Sequence, residues 1–533
     1  MVTLLSAATT LLALAQPSTA VLSPPMIRSG DQQAPVQPGD DASPTTHTSQ
    51  SVAVEAADGA VPIRSIGFSG MDAPLAVADA ARPYVGRKAT RQTLAELAHA
   101  ISRAYSRTGI ALYTVAIPRQ DFGSGHVRVL LAEGFVEDIA FPKGASSLVE
   151  AYAAPLRAER PLRRRTLERS LSLMRDIPGA QVDATLLRGD EPGGVRLSVT
   201  QERKHSDLAF GYDNRSQSGL GDGQLRASAK LYSLFQDGDR TELAVLTAGD
   251  LKHYRYAGLG HQMPIGAQGL VLGLSGSWLD TRLKGQPITG EAQTLGLSLS
   301  YPIIRGYKRN LTVSAGIDGL NSNAAYLGAV VSSDRIRAVR AAIGFAEAGP
   351  RSALSLAATV TQGLDIWGAR GLPGFTDIRF TKIVANAQVD RALGKRLVGR
   401  LRLTGQYSDD RLGGNERIVI GGADFGRAFD TALLSGDRGA AGSFEMALRP
   451  SLPERFKGTE VYAFIDGARI RVLERLAQPT ADYSFASAGG GLRMAYTPRA
   501  SLSLEGARAI KWPFAGPDGS WRVNIAWSLK LRR

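Results

Sequence analysis

Two short stretches carry the side chains with most chemistry to offer. The first runs from Arg411 to Gly439, RLGGNERIVIGGADFGRAFDTALLSGDRG, and holds Arg427 within a Phe-Gly-Arg-Ala-Phe-Asp core. The second, the strand-like Glu460 to Gly467, offers Asp466 on the face that also carries Glu460, Tyr462 and Phe464. Guanidinium and carboxylate meet in a planar two-bond geometry that lysine does not reproduce. The chemistry expected is a fastening: Arg427 on a long loop grips Asp466 on a wall, and Phe425 and Phe429 pack beside it. A mobile surface loop next to a structural strand is the competing reading of the same spacing.

Catalysis has no visible seat. There is no G-x-S-x-G, the Gly394-Lys395 pair is followed by Arg396 and so makes no P-loop, and the histidines at 47, 99, 126, 205, 253 and 261 do not cluster. Glu445 and Glu505 read as isolated lumen acids that balance arginines, not as an acid and base pair. Neither an enzyme activity nor a cofactor or metal is expected.

Composition says what must hold these residues. The 533 residues contain no cysteine, which excludes disulfides, thiol catalysis and cysteine-ligated metals. Fifty-nine glycines, 21% charged residues and a mean hydropathy of -0.09 are unusual for a large soluble enzyme. Beyond the amino terminus no run approaches the 18 or so apolar residues of a spanning helix. A membrane protein without such helices is a barrel. The net charge of +14 is spread over alternating strands, so nucleic acid is not expected as a partner.

Residues 1–20 have an apolar core from Leu4 to Ala15 and a Ser18-Thr-Ala20 end, the pattern of an export signal. Residues 21–62 are rich in Pro, Gly, Ser, Thr and Asp and net acidic, a composition that builds no core and predicts a linker or a plug in a basic pore. From Ile63 to 135 a strand, two helical stretches and two strands follow, and 136–202 repeats that order with a period of roughly 70 residues. Each unit is a small sheet with helices on one face, leaving sheet edges free to take an extended peptide as an added strand. From 203 to 533 the helical period disappears. Trp521, Val523, Ile525, Trp527, Leu529 and Leu531 point one way, with Arg522, Asn524, Ser528 and Lys530 opposite, and Leu401, Leu403 and Tyr407 likewise oppose Arg400, Arg402 and Gln406. The count is sixteen antiparallel transmembrane strands, eleven before the 411–439 loop and five after it.

Particular residues then resemble a known family. Tyr105-Ser-Arg-Thr-Gly109, Pro118-Arg-Gln120 and Glu133-Gly134, with Leu167-Glu-Arg169 and Asp176-Ile-Pro-Gly179 in the second unit, are similar to marks of paired polypeptide-transport-associated (POTRA) domains. Gly421-Gly422, Arg427-Ala428-Phe429 and Gly436-Asp437-Arg438-Gly439 resemble a lumen loop whose hallmark is Arg-Gly-Tyr or Arg-Gly-Phe; Phe464-Ile-Asp466-Gly467 resembles its wall partner. Together they resemble the outer-membrane transporters of two-partner secretion, which export filamentous haemagglutinins and haemolysins. Arg305-Gly306-Tyr307 matches the triplet literally but leaves no room for a long loop. Ala428 departs from the pattern, and with it a backbone angle that only glycine reaches easily is expected to be lost.

The resemblance implies a bacterial outer-membrane protein conductor with its POTRA domains in the periplasm. It would act without nucleotide on a secreted partner protein with an amino-terminal secretion domain, and would depend on outer-membrane lipids and the barrel-assembly machinery. An insertase of the same superfamily and a diffusion porin are the alternatives.

Overall fold

The computed structural model describes residues 51–54 and 61–532, apart from 192, 477, 498 and 515–519. The export signal and most of the acidic segment lie outside the described residues.

The amino-terminal part is two sheets with helices against them. The first holds β1 (Ser51–Val54), β2 (Ser65–Ser69), β3 (Tyr113–Ile117) and β4 (His126–Glu133) in the order β1-β3-β4-β2, with α1 (Leu75–Ala81) and α2 (Arg91–Tyr105) between β2 and β3. Period two on the strands and the helical stripe of α2 meet in one core: Val115, Ile117, Val127, Val129 and Leu131 bury against Leu94, Leu97, Ile101 and Tyr105. Thr90 caps α2 by accepting from the Thr93 amide. Gln120 shows why its position matters: its side chain donates to the Arg128 carbonyl at 2.9 Å and accepts from the Arg128 amide at 2.8 Å, closing the β3–β4 turn as a strand residue would. The expectation of a coreless segment over 21–62 is corrected at one place. Ser51–Val54 pairs in parallel with β3, from Ser51 beside Thr114 to Val54 beside Ile117. Four residues among prolines and aspartates carry too little periodic signal to be read.

The second sheet has the order β5-β7-β6, from β5 (Phe135–Ala140), β6 (Ala180–Arg188) and β7 (Gly194–Arg203), with α3 (Ser147–Ala158) and α4 (Arg164–Arg175) between β5 and β6. It repeats β2-α1-α2-β3-β4 but, among the described residues, has no counterpart of β1.

The remainder is a closed antiparallel barrel of sixteen strands, the fold class expected. Eleven, β8 (Ser206–Asp213) to β18 (Leu397–Ser408), precede the long loop, and five, β21 (Arg438–Leu448) to β25 (Trp521–Arg532), follow it. Closure is by β25 on β8, with Trp527 beside Tyr212 and Leu531 beside Leu208. Closing the sheet leaves no unpaired edge in lipid. Exposed Leu295, Leu297, Leu299, Phe444, Ile465, Val523 and Trp527 belong to the outer belt, while Tyr462, Phe464, Glu445, Asp466 and Glu505 are buried on the inner face. The wall is uneven: β8 has 8 residues, whereas β13 (Ile288–Arg305), β14 (Arg309–Tyr326) and β15 (Ala329–Ala348) have 18, 18 and 20. Among the described residues no helix is long and apolar enough to cross a membrane.

Candidate functional site in the barrel lumen

Between β18 and β21 the chain turns back inside the barrel. A small hairpin stiffens this loop: β19 (Ile418–Ile420) pairs antiparallel with β20 (Leu434–Gly436). Beyond it the tip depends on glycine. Gly421 and Gly422 have φ of 116° and 106°, and a Cβ at Gly421 would lie 2.3 Å from the Asp430 carbonyl oxygen. Gly426, with φ of 78°, sits under the Phe485 ring, which a Cβ would meet at 2.6 Å. Ala428 is not among the described residues with positive φ. The expected loss of a special backbone angle at 428 is therefore corrected: the turn takes that angle two residues earlier, at Gly426.

Arg427 is only 3% exposed. Its Nη1 donates to Glu445 Oε2 at 2.9 Å and Glu505 Oε2 at 3.3 Å, and its Cζ stands 4.2 Å from the centre of the Phe464 ring. The expected side-chain pair with Asp466 is not formed. Asp466 instead accepts the backbone amides of Gly426 and Arg427, at 3.0 and 3.3 Å, and the Ser487 hydroxyl at 2.5 Å. The short aspartate is occupied in closing the turn on which the arginine stands. Glutamates on β21 and β24 (Ala500–Lys511) reach the guanidinium. The loop thus meets the wall twice over, by backbone on β22 (Glu460–Val472) and by side chain on β21 and β24.

Both glutamates are hubs. Glu445 also takes two bonds from Arg493, each 2.6 Å, and one from Arg400 at 2.9 Å. Glu505 takes Arg215 at 2.5 Å, Asn524 at 3.2 Å and the Tyr462 hydroxyl at 2.8 Å. Arg400 continues to Glu460 through bonds of 2.7 and 2.6 Å. Asn524 also donates to the Arg427 carbonyl at 3.1 Å, and Thr431 to the Arg215 carbonyl at 2.7 Å. Phe429 packs on Phe485 and Trp512, at 4.7 and 5.1 Å between ring centres, and Phe425 lies half-buried against the same cluster. Gly467 faces the other way, with Gly442 and Ala486 on either side in register, and has no place at the lock. Arg493 escaped the sequence reading; its signal was the same inward parity that marked Arg400 and Arg402.

A second fastening holds the base of the loop. Asp437 is fully buried and takes the Leu412 and Leu473 amides at 2.8 and 2.9 Å. Arg475, on the connection from β22 to β23 (Ala481–Tyr496), donates to both its oxygens at 2.8 and 2.6 Å and reaches the Phe375 carbonyl at 3.1 Å. Three connections between strands are tied at one carboxylate. Its neighbour Arg438 points outward over Tyr407, 4.8 Å from the ring centre. Gly436 and Gly439 let the strand pass close to β22, since a Cβ would lie 2.8 Å from the Arg471 carbonyl or 2.7 Å from Ile470. Glu416, also in the loop, lies between Arg340 at 2.8 Å and Lys382 at 2.6 Å. Burial alone would raise its carboxyl, but the two cations hold it well below the usual carboxylate range. Among the described residues no three His, Cys, Asp or Glu come together to hold a metal. The chemistry available is reversible ion pairing.

The haemolysin secretion/activation protein family ShlB/FhaC/HecB matches residues 193–494, and the ShlB-type POTRA domain matches residues 61–134. The outer membrane transporter CdiB of Dickeya dadantii is 25% identical over 384 residues, 67% of this chain and 66% of that protein. The heme/hemopexin transporter protein HuxB of Haemophilus influenzae is 22% identical over 378 residues, again 67% and 66%. The matched region is thus just under two thirds of those relatives' length. Among solved structures, CdiB from Escherichia coli aligns with a TM-score of 0.72 at 18% identity, over 99% of this chain and 97% of that one. BamA from Haemophilus ducreyi lacking POTRA domains 1-3 aligns at 0.53 and 13%, over 89% and 100%. At such identities the likeness is one of fold.

Proposed function

Because the chain belongs to the ShlB/FhaC/HecB haemolysin secretion/activation family, and is an outer-membrane barrel with POTRA domains in the periplasm, we propose that it conducts a secreted partner protein across that membrane without nucleotide. The observation that carries this reading is the loop fastened inside the lumen by Arg427, Glu445, Glu505 and Asp466. A lumen filled by a removable segment suits a conduit that is closed at rest. Ion pairs and hydrogen bonds, and no covalent bond, hold the tip, so the fastening is reversible. The partner, recognised by an amino-terminal secretion domain, would arrive unfolded and pair its backbone with a sheet edge of the POTRA domains, such as that of β6. Outer-membrane lipids and the barrel-assembly machinery serve biogenesis in this reading.

An insertase would share the fold, but the motif-bearing loop and the two amino-terminal units favour the transporter. A porin has no use for those units. The test is co-expression with a large secreted protein encoded beside this one. Export into the medium, lost when residues 51–202 are deleted while the barrel still shows heat-modifiable mobility, is the expected result. Undiminished export from the deleted form would remove the docking role. Small-solute leakage without any exported partner would favour the porin.

A further inference from the structure

The outer face of the barrel carries a charge pattern that the lumen does not explain. On β22 the outward series is Val461, Ala463, Ile465, Gly467, Arg469, Arg471, so the apolar belt gives way to two arginines at the end of the strand away from the entry of the chain into β8. Arg469 and Arg471 are exposed, while Ile470 between them is buried on the inner side. Two strands along, β24 repeats the pattern: Leu502, Leu504 and Gly506 lead to the exposed Arg508. On the other side, Arg438 of β21 stands beside Arg471 in register. Four guanidinium groups therefore lie on the outward rim of β21, β22 and β24. Among the described residues their carboxylates are Asp482, which meets Arg471 at 2.8 Å and Arg469 at 3.7 Å, and Asp409, which pairs with Arg438. Arg508 pairs with neither, and Asp482 serves two arginines at once. Among the described residues, four cations against two carboxylates leave the patch net positive.

Directly beneath is a shallow apolar floor. Gly467 lies beside Ala486, and Ile465 beside Ala488, itself beside Arg508. Trp521, which is 68% exposed, stands beside Arg508 in register and lies over Gly506, 3.9 Å from where its Cβ would be. The same rim on β12 (Leu270–Arg282) and β13 differs, because there Asp280 and Glu291 face outward together with Arg282. A cationic rim over small apolar residues, flanked by an exposed tryptophan, fits an amphiphile with an anionic head and acyl chains. Arginine forks favour phosphate.

We propose that Arg469, Arg471 and Arg508, with Arg438 at the margin, bind the phosphorylated headgroup of an outer-leaflet glycolipid of the lipid A type, its chains lying on the Gly467–Ala486–Gly506 floor. The inference rests on the outer-membrane placement of the barrel and not on the transport reading, so either can fail alone.

The test uses the full chain in phosphatidylcholine nanodiscs doped with bisphosphorylated lipid A, followed by native mass spectrometry of lipid retained after detergent exchange. Retention of lipid A, and a loss of roughly a hundredfold in apparent affinity in the Arg469→Ser, Arg471→Ser, Arg508→Ser triple variant, is expected at about 1 kcal/mol per interfacial arginine. If the triple variant fails to assemble, two measurements on the unaltered protein decide instead. Dephosphorylated lipid A should not be retained, and phosphatidylglycerol at the same charge density should be retained less. Equal retention of phosphatidylglycerol would reduce the patch to general charge attraction and overturn the proposal. Displacement of the lipid by millimolar inorganic phosphate would make it a free-anion site and overturn it too.

Discussion

The Arg475 guanidinium donates to both carboxylate oxygens of Asp437, at 2.8 and 2.6 Å, with Arg475 1% exposed and Asp437 not exposed at all. Removing one member of such a pair strands the other charge without water, at a cost of about 3–5 kcal/mol. Arg475→Met should therefore free the base of the loop, lowering the temperature of heat-modifiable unfolding and raising single-channel conductance. Adding Asp437→Asn should recover part of both, because the orphaned charge is gone. A double variant worse than Arg475→Met would show that the two residues contribute separately.

At the tip, the decisive partner of Arg427 is a glutamate. Arg427→Met and Glu505→Gln should each cut export strongly and the double should be little worse than either, since both break one contact. The pairing of Arg427 with Asp466→Asn should be closer to additive, as Asp466 holds the turn by backbone amides and not the guanidinium. A strongly non-additive Arg427–Asp466 cycle with an additive Arg427–Glu505 cycle would contradict the arrangement of the lumen.

Glycine is needed at 426 and not at 428. Gly426→Ala forces a side chain into φ of 78° against Phe485 and should cost about 1–3 kcal/mol, with export falling and conductance rising. Ala428→Gly, which restores the glycine of the family pattern, should leave export unchanged and cost at most about 1 kcal/mol through unfolded-state entropy. Improved export from Ala428→Gly would mean that the alanine does constrain the loop.

Strand β1 occupies the edge of β3 that its counterpart β6 leaves open. If the partner protein adds as a strand, Ser51–Val54 competes with it at β3. Deleting these four residues from the full chain should tighten binding of the partner's secretion domain several-fold by removing that competition. Affinity unchanged in a titration calorimeter would confine docking to other edges.

Much of this was legible in sequence because period two survives wherever one face meets lipid and the other water. Trp521 to Leu531 and Leu401 to Tyr407 gave the strands, and the Gly-rich interruption before Arg438 gave the loop. Partnership inside the lumen was less legible. From sequence Arg427 pairs with Asp466, the carboxylate on the face of Tyr462 and Phe464, whereas Glu445 and Glu505, on strands either side of β22 and β23, read as isolated. Only the registers from β21 to β24 bring them to one guanidinium. Arg475 gave no signal at all, lying in a connection where no periodicity operates. Its role depends on Leu412 and Phe375, which are remote in sequence.

The unequal strands give the barrel a high side and a low side. On β13 the outward residues Glu291 and Gln293 precede the apolar Leu295, so the first part of that strand stands clear of the lipid belt. A crossing takes about 9–11 residues, and at about 3.4 Å per residue the excess in β13, β14 and β15 raises that flank roughly 20 Å above the bilayer. A polypeptide leaving the barrel would emerge beside a parapet on one flank and open water on the other. Its first folded turns would be sheltered from one direction only, which biases where a nascent fold grows and makes sliding back into the lumen sterically harder once it has formed.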